Sequence, residues 1–231
     1  MRLIAPLLLL PLAACAAEVA GTPRFTSAIS PVGDFFVPTA SVVERRFEGV
    51  VRQRYDFSCG SAALATLLRH HYGFDVQEEQ AFRGMWARGD QEQIRRVGFS
   101  LLDMKRYLAQ DGLSADGYKV SLDAIAKRGL PGIALVSTRG YRHFVVLKGV
   151  TATDVLVGDP SLGIQSVPRP KFQAMWNGVY FVLNSRTQVG RGNFNGARQW
   201  GVLARAPIGQ PFLDPLSQGA LALSAPFYRD F

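Results

Sequence analysis

The sequence predicts an α+β domain in which helices come first and an antiparallel sheet follows. Three observations carry this. Between residues 59 and 128 apolar residues recur at helical spacing, and the runs are punctuated by Ser at their starts and Gly at their ends. From Pro131 onward the pattern changes to short β-branched and apolar runs bounded by turn residues. Hydrophobic residues make up 48% of the 231 residues and charged residues 19%, which allows one packed core and excludes a fibre or a wholly disordered chain.

Taken in order, the chain opens on a segment unlike the rest. Arg2 is followed by an apolar stretch from Leu3 to Ala14, which closes among the small residues Ala13, Ala14, Cys15, Ala16 and Ala17. That is the layout of an export signal. Its apolar run of about 12 residues falls short of the roughly 20 that span a bilayer, so it reads as a signal and not an anchor helix. Leu12-Ala13-Ala14-Cys15 also matches a bacterial lipobox, which predicts a lipid on Cys15; the alternative is an ordinary signal cut after Ala16 or Ala17. Residues 1–21 are therefore set apart as signal. Residues 22–44, with Pro23, Pro31, Gly33 and Pro38, read as a lead-in arm.

The expected domain runs over 45–185. Phe47 to Gln53 suggests a short strand. Ser58 as N-cap and Gly73 as stop frame a helix from Cys59 to Tyr72 whose Ala62, Ala63, Leu64, Leu67 and Leu68 suit burial. A second helix is expected over 77–87, and the polar stretch 89–96 reads as a loop or a frayed turn. Ser100 and Asp103 form a capping box for a helix over 101–110, and Gly112 ends it. A short strand at 117–120 precedes a helix at 122–128, opened by Ser121 and stopped by Gly129. Strands are then expected at 132–137, 143–150, 154–158, 163–167 and 179–184, interrupted by one helical turn at 171–176. Residues 186–231, rich in Gly, Pro and Ala, read as an extension that wraps the domain or stays mobile.

The net charge is +8 and the isoelectric point about 9.9. The positive charge is dispersed in pairs such as Arg45–Arg46, Arg95–Arg96 and Lys127–Arg128, with no run long enough for a nucleic-acid arm. It reads as solvated charge on helix faces, and no nucleic-acid partner is expected.

The chain has two cysteines, Cys15 and Cys59. With Cys15 in the signal, Cys59 is a lone thiol in an exported protein. A thiol becomes a nucleophile as its thiolate, favoured by a helix N-terminus and by a neighbouring imidazolium. Cys59 opens a helix, and Gly60 beside it would leave room for a substrate backbone. Of the three histidines, His70 and His71 lie 11 and 12 positions along the same helix, roughly 16–18 Å from Cys59. His143, at the start of His-Phe-Val-Val-Leu, remains as the base. A hairpin joining 143–150 to 155–159 would bring Asp159 to the same open end, where it can hold the imidazole; Asp154 falls in the turn. Gln53, six positions upstream of Cys59, can offer an amide N–H to a developing oxyanion beside the backbone N–H of Cys59. One usable thiol and three dispersed histidines are a poor metal-ligand set, so no metal or cofactor is expected.

Gln53-Arg-Tyr-Asp-Phe-Ser-Cys59-Gly60-Ser-Ala62-Ala-Leu64, His143-Phe-Val-Val-Leu and Asp159-Pro160-Ser-Leu-Gly163 resemble the peptidase C39 family, the bacteriocin-processing double-glycine peptidases. The resemblance runs from about Arg45 to Asn184, and Gly98-Phe-Ser-Leu-Leu-Asp103, Leu130-Pro131-Gly-Ile and Phe172-Gln-Ala-Met-Trp176 fit it in order. It implies a papain-like fold with Cys59, His143 and Asp159 as the reacting set and Gln53 in the oxyanion hole. It also implies a peptide or protein substrate, glycine-rich or carrying a double-glycine leader. Most familiar members are domains of ABC transporters, whereas this sequence has no transmembrane helix and no Gly-Lys phosphate loop, so no ATP is expected. It resembles instead the stand-alone periplasmic members, including the type associated with bacterial functional-amyloid secretion. The expected protein is thus an exported, periplasmic cysteine endopeptidase with a secretion-system component as a further partner, its only membrane link being a lipid on Cys15. The alternative is a non-hydrolytic binding or chaperone accessory using the same cleft.

Overall fold

The computed structural model describes residues 24–25, 35–36, 41–55, 57–138 and 140–203. The expected signal, Cys15 with its lipid, most of the lead-in arm and the extension beyond Leu203 lie outside the described residues. Two compact units divide the chain, one over 1–41 and one from Val42 on. In the first, β1 (Arg24–Phe25) and β2 (Phe35–Phe36) pair antiparallel.

The second unit is α+β, as the sequence predicts. It starts with α1 (Val42–Arg46), α2 (Cys59–Tyr72), α3 (Glu78–Trp86), α4 (Gln91–Val97) and α5 (Leu101–Gln110). Next come β3 (Ala115–Lys119), α6 (Leu122–Arg128), β4 (Gly132–Thr138), β5 (Tyr141–Val150), β6 (Asp154–Asp159) and β7 (Gly163–Pro168). The last elements are α7 (Arg169–Met175), β8 (Trp176–Leu183), α8 (Thr187–Gly192) and α9 (Ala197–Gly201). The six strands β3 to β8 form one sheet in the order β3-β8-β4-β5-β6-β7, and every neighbouring pair is antiparallel.

Helices cover both faces of the sheet centre. On one face, Leu64, Leu67 and Leu68 of α2 pack with Met85, Met104 and Leu108 against Ile133, Phe144, Val146 and Phe181. On the other, Leu122, Ile125 and Phe172 pack against Ala134, Val145, Leu147 and Tyr180. Because β5 is buried on both sides, Phe144-Val-Val-Leu147 reads as an unbroken apolar run and not as an alternation. The helix α2 is buried almost all round, from Ala62 to Leu68, which places its N-terminal end deep in the unit. Gly73 ends it with a left-handed φ of 73°.

Several expectations are corrected. Residues 47–53 form no strand: Val50 N–H closes a turn on Phe47 O (3.1 Å), and Val51 N–H is taken by Thr66 Oγ1 of α2 (2.9 Å). The polar stretch 89–96 is neither a loop nor a frayed turn but largely α4, capped by Asp90, whose side chain accepts from Gln93 N–H. A helix that buries only Ile94 shows too weak an apolar stripe to be read from sequence. Gly60 does not open a substrate channel. A Cβ there would lie 3.0 Å from Phe99 Cβ and 3.2 Å from Met104 Cε, so the glycine lets α2 approach the core. Apart from these corrections, residues 187–203 form α8 and α9 and are pinned to the unit. Asn193 Nδ2 donates to His71 O (2.9 Å), Asn195 N–H to Lys148 O (2.9 Å) and Asn195 Nδ2 to Val150 O (3.1 Å).

Candidate active site

Cys59 is the first residue of α2 and is buried. Ser58 holds the N-cap position, yet its side chain caps nothing in the helix. Its Oγ instead donates to Glu78 Oε1 (2.6 Å) and accepts from Tyr55 N–H (3.1 Å). The same carboxylate oxygen accepts Arg54 N–H at 3.2 Å. Glu78 stands at the start of α3 and is itself buried. Arg54, Tyr55 and Ser58 therefore fold around an internal carboxylate, and the first-turn N–H groups of α2 are left uncapped by Ser58, free to favour negative charge at the helix start.

β5 carries His143 and β6 ends at Asp159. Their antiparallel register, with Val146 opposite Gly158, brings both to one end of the hairpin. His143 Nε2 donates to Asp159 Oδ1 at 2.9 Å, with both side chains buried. That oxygen also accepts Ser161 N–H (2.7 Å) and Leu162 N–H (3.2 Å), which fixes the carboxylate in the β6–β7 turn. The Tyr141 ring stacks on His143 at 5.9 Å between centroids. His143 Nδ1 is buried without a hydrogen-bond partner, and Cys59 is near enough to raise the pKa of the ring. Burial alone would lower that pKa; the Asp159 hydrogen bond and charge, with the Cys59 interaction, outweigh it and raise His143 to about 9.

Gln53 is tied to the turn that follows Asp159. Its backbone N–H donates to Pro160 O (3.0 Å) and its Oε1 accepts from Ser161 Oγ (3.0 Å). Its Nε2 donates to Tyr55 O at 3.2 Å. An amide nitrogen has two hydrogens, and among the described residues the second has no acceptor. The structure thus brings His143 and Asp159 together beside Cys59 and links Gln53 to the Asp159 turn. Such a thiol–imidazole–carboxylate arrangement can move a proton off sulfur and hold it on nitrogen.

His71 and Asp154 serve elsewhere. His71 is buried, with Nδ1 donating to Asn193 O (3.1 Å) and Nε2 accepting from Lys148 Nζ (3.0 Å). Asp154 accepts from Thr153 Oγ1 (2.6 Å) and Ser166 Oγ (3.2 Å), local bonds that hold a turn. The sequence reading missed Glu78, Ser161 and Lys148. Glu78 looks like an ordinary acidic residue in a first helical turn, and Ser161 like a turn serine. Lys148, inside Phe144-Val-Val-Leu-Lys-Gly-Val150, was visible as a cation within an apolar strand.

Exposed aromatic rings precede Cys59. Tyr55 and Phe57 stack with centroids 5.9 Å apart, and Phe57 meets Phe82, which stacks on Trp86 at 5.8 Å.

The single thiol among the described residues, on a buried helix end and interacting with an imidazole that a hairpin carboxylate holds, defines a cysteine-hydrolase type of centre. The sequence profile of the peptidase C39 family matches residues 48–188, and the chain belongs to this family of cysteine peptidases. It is 47% identical over 148 residues to the "Probable functional amyloid protease FapD" of Pseudomonas fluorescens, and 44% identical over 143 residues to the protein of the same name from Pseudomonas aeruginosa. These matches cover 64% and 62% of this chain, and it spans 66% and 63% of the lengths of those relatives. Among solved structures it is similar to the peptidase domain of Streptococcus ComA, a bi-functional ABC transporter of a quorum-sensing pathway. That match has 22% identity and a TM-score of 0.49, covering 58% of this chain and 96% of that one. It is also similar to a double glycine motif protease from an AMS/PCAT transporter in complex with its leader peptide. There the identity is 26% and the TM-score 0.48, covering 58% and 89%.

Proposed function

We propose that the unit from Val42 on is a thiol endopeptidase in which Cys59 attacks, His143 shuttles the proton, Asp159 orients His143 and Gln53 stabilises the oxyanion. The observation that carries this is the buried Cys59 at the start of α2 beside His143, whose Nε2 is bonded to Asp159 at 2.9 Å. With Nε2–H committed to the carboxylate, Nδ1 is the nitrogen left to take the thiol proton. The resulting thiolate adds to the scissile carbonyl carbon, and the carbonyl oxygen becomes an oxyanion within reach of N–H donors from Cys59 and Gln53. The imidazolium then protonates the leaving amine, and water, deprotonated by the same nitrogen, hydrolyses the thioester.

The substrate we propose is the leader or a glycine-containing segment of an exported protein, as the C39 resemblance implies; the two Pseudomonas relatives are named only as functional amyloid proteases. The exposed Tyr55–Phe57 pair beside Cys59 suits apolar side chains of such a chain. The working organisation keeps residues 1–21 as signal, 22–44 as arm, 45–185 as peptidase and 186–231 as extension. Export to the periplasm and a secretion-system partner belong to the same proposal. Among the described residues no helix is long and apolar enough to cross a membrane.

The test uses a fluorescence-quenched peptide containing a Gly-Gly pair. Wild type cleaves it, while Cys59→Ala keeps the fold and loses turnover to background. Equal binding by both proteins, with product from neither, would replace the peptidase reading by the binding-accessory one.

A further inference from the structure

The β6–β7 turn does more than end a hairpin. Ser161 faces two components of the site through two different atoms. Its backbone N–H goes to Asp159 Oδ1 at 2.7 Å, and its side-chain hydroxyl goes to Gln53 Oε1 at 3.0 Å. The backbone of Gln53 is held by the preceding residue, through Pro160 O at 3.0 Å.

The orientation of the Gln53 amide follows from its partners. Tyr55 O can only accept, so the side-chain nitrogen lies on that side, at 3.2 Å. Oε1 then faces the Ser161 hydroxyl, which supplies the donor. The terminal torsion of glutamine is broad and has no sharp minimum of its own. A donor stabilises an oxyanion well only if it is aimed before the charge appears. Held at Oε1 and at one hydrogen of Nε2, the amide plane is fixed and the second hydrogen keeps one direction.

We infer that Ser161 is a positioning residue for the oxyanion donor: its hydroxyl locks the Gln53 amide, while its backbone separately anchors Asp159. The inference rests on the proposed thiol-peptidase reading. Ser161→Ala cuts the side-chain link and leaves the N–H to Asp159 in place, so the two jobs can be pulled apart.

Three readouts test it: hydrolysis of the Gly-Gly peptide, inhibition by a Gly-Gly peptide aldehyde, and alkylation by iodoacetamide. The aldehyde adds the Cys59 sulfur to its carbonyl carbon and leaves an oxygen where the oxyanion forms. Iodoacetamide forms a sulfur–carbon bond and expels iodide, with no oxyanion. Losing a whole oxyanion donor costs roughly 100- to 1000-fold in kcat, and a loosened one should cost about tenfold. Ser161→Ala is therefore expected to lower kcat about tenfold with KM nearly unchanged, and to weaken the aldehyde about as much. Its alkylation rate and pH profile should match wild type. Ser161→Thr, which keeps the hydroxyl, recovers most of the loss, and adding Ser161→Ala to Gln53→Ala costs little more than Gln53→Ala alone. Wild-type kcat in Ser161→Ala overturns the inference, as do additive losses with Gln53→Ala. A parallel fall in alkylation also overturns it, since that marks a collapsed turn. If wild type itself neither cleaves the peptide nor binds the aldehyde, the peptidase reading fails and this inference with it.

Discussion

The His143 ring answers to two neighbours through its two nitrogens. Nε2 is bonded to Asp159 at 2.9 Å, and Nδ1 is the buried, unbonded nitrogen left for Cys59. Burial opposes the charged ring; Asp159 and Cys59 favour it and win, placing the pKa at about 9. In the proposed mechanism the imidazolium is the acid that protonates the leaving amine. Activity should therefore fall through an alkaline limb centred near pH 9, as His143 loses its proton. Asp159→Asn removes the carboxylate charge that raises this pKa. The limb is expected to move toward neutral pH, and kcat/KM at pH 7 to drop by about 100-fold or more. A profile of kcat/KM against pH for both proteins checks this; an unmoved limb would mean that another group sets it. His143 could be picked out from sequence because only three histidines exist and two share the Cys59 helix. Ser161 could not, because its contribution depends on where a turn hydroxyl points after a hairpin closes.

At the scale of elements, what positions the thiol is the way α3 meets the start of α2. Ser58 reads as an ordinary N-cap, but Glu78 draws its hydroxyl away at 2.6 Å and takes Arg54 N–H as well. The α2 boundaries were legible because Ala, Leu and a terminal Gly all favour the same helix. The side-chain role of Ser58 was not, because a carboxylate 20 positions away competes for it. The absent strand at 47–53 has a similar cause: Thr66 and Pro160 supply the partners that a neighbouring strand would have given. Removing the carboxylate by Glu78→Ala leaves Arg54 N–H without its acceptor and turns the buried Ser58 hydroxyl onto Tyr55 O alone (3.0 Å). A loss of about 1–3 kcal/mol is expected, seen as a lower urea midpoint at unchanged m-value. Unchanged stability would mean that Arg54, Tyr55 and Ser58 hold their places without the carboxylate.

Over the whole Val42-onward unit, Lys148 is the junction. It lies on β5, is fully buried, and donates to Gly49 O (2.8 Å) before β3 and the sheet begin, and to His71 Nε2 (3.0 Å) near the end of α2. Its own carbonyl receives Asn195 N–H from the C-terminal segment, and its aliphatic stem packs beside Gly158 of β6. No carboxylate among the described residues forms an ion pair with it, and the polar groups facing it are neutral acceptors, with His70 the other nearby titratable group. Burial lowers the Lys148 pKa from 10.5 to about 7. The sign follows from proton counting. Between about pH 7 and 10.5 the unfolded chain keeps a proton on this lysine that the folded chain lacks, so its contribution to stability rises with pH across that window. Below pH 7 the folded protein carries the full cost of a buried charge. Lys148→Met abolishes this titration while filling the same space. The stability of wild type relative to Lys148→Met should therefore climb between pH 7 and 9, by up to about 1.4 kcal/mol per pH unit. Urea unfolding of both proteins at pH 6, 7, 8 and 9 measures that difference directly. Parallel curves would mean that the lysine stays charged in the core, held by Gly49 O and His71 alone; converging or crossing curves would place its neutralisation at the point where α2, the sheet and the C-terminal segment are fastened together.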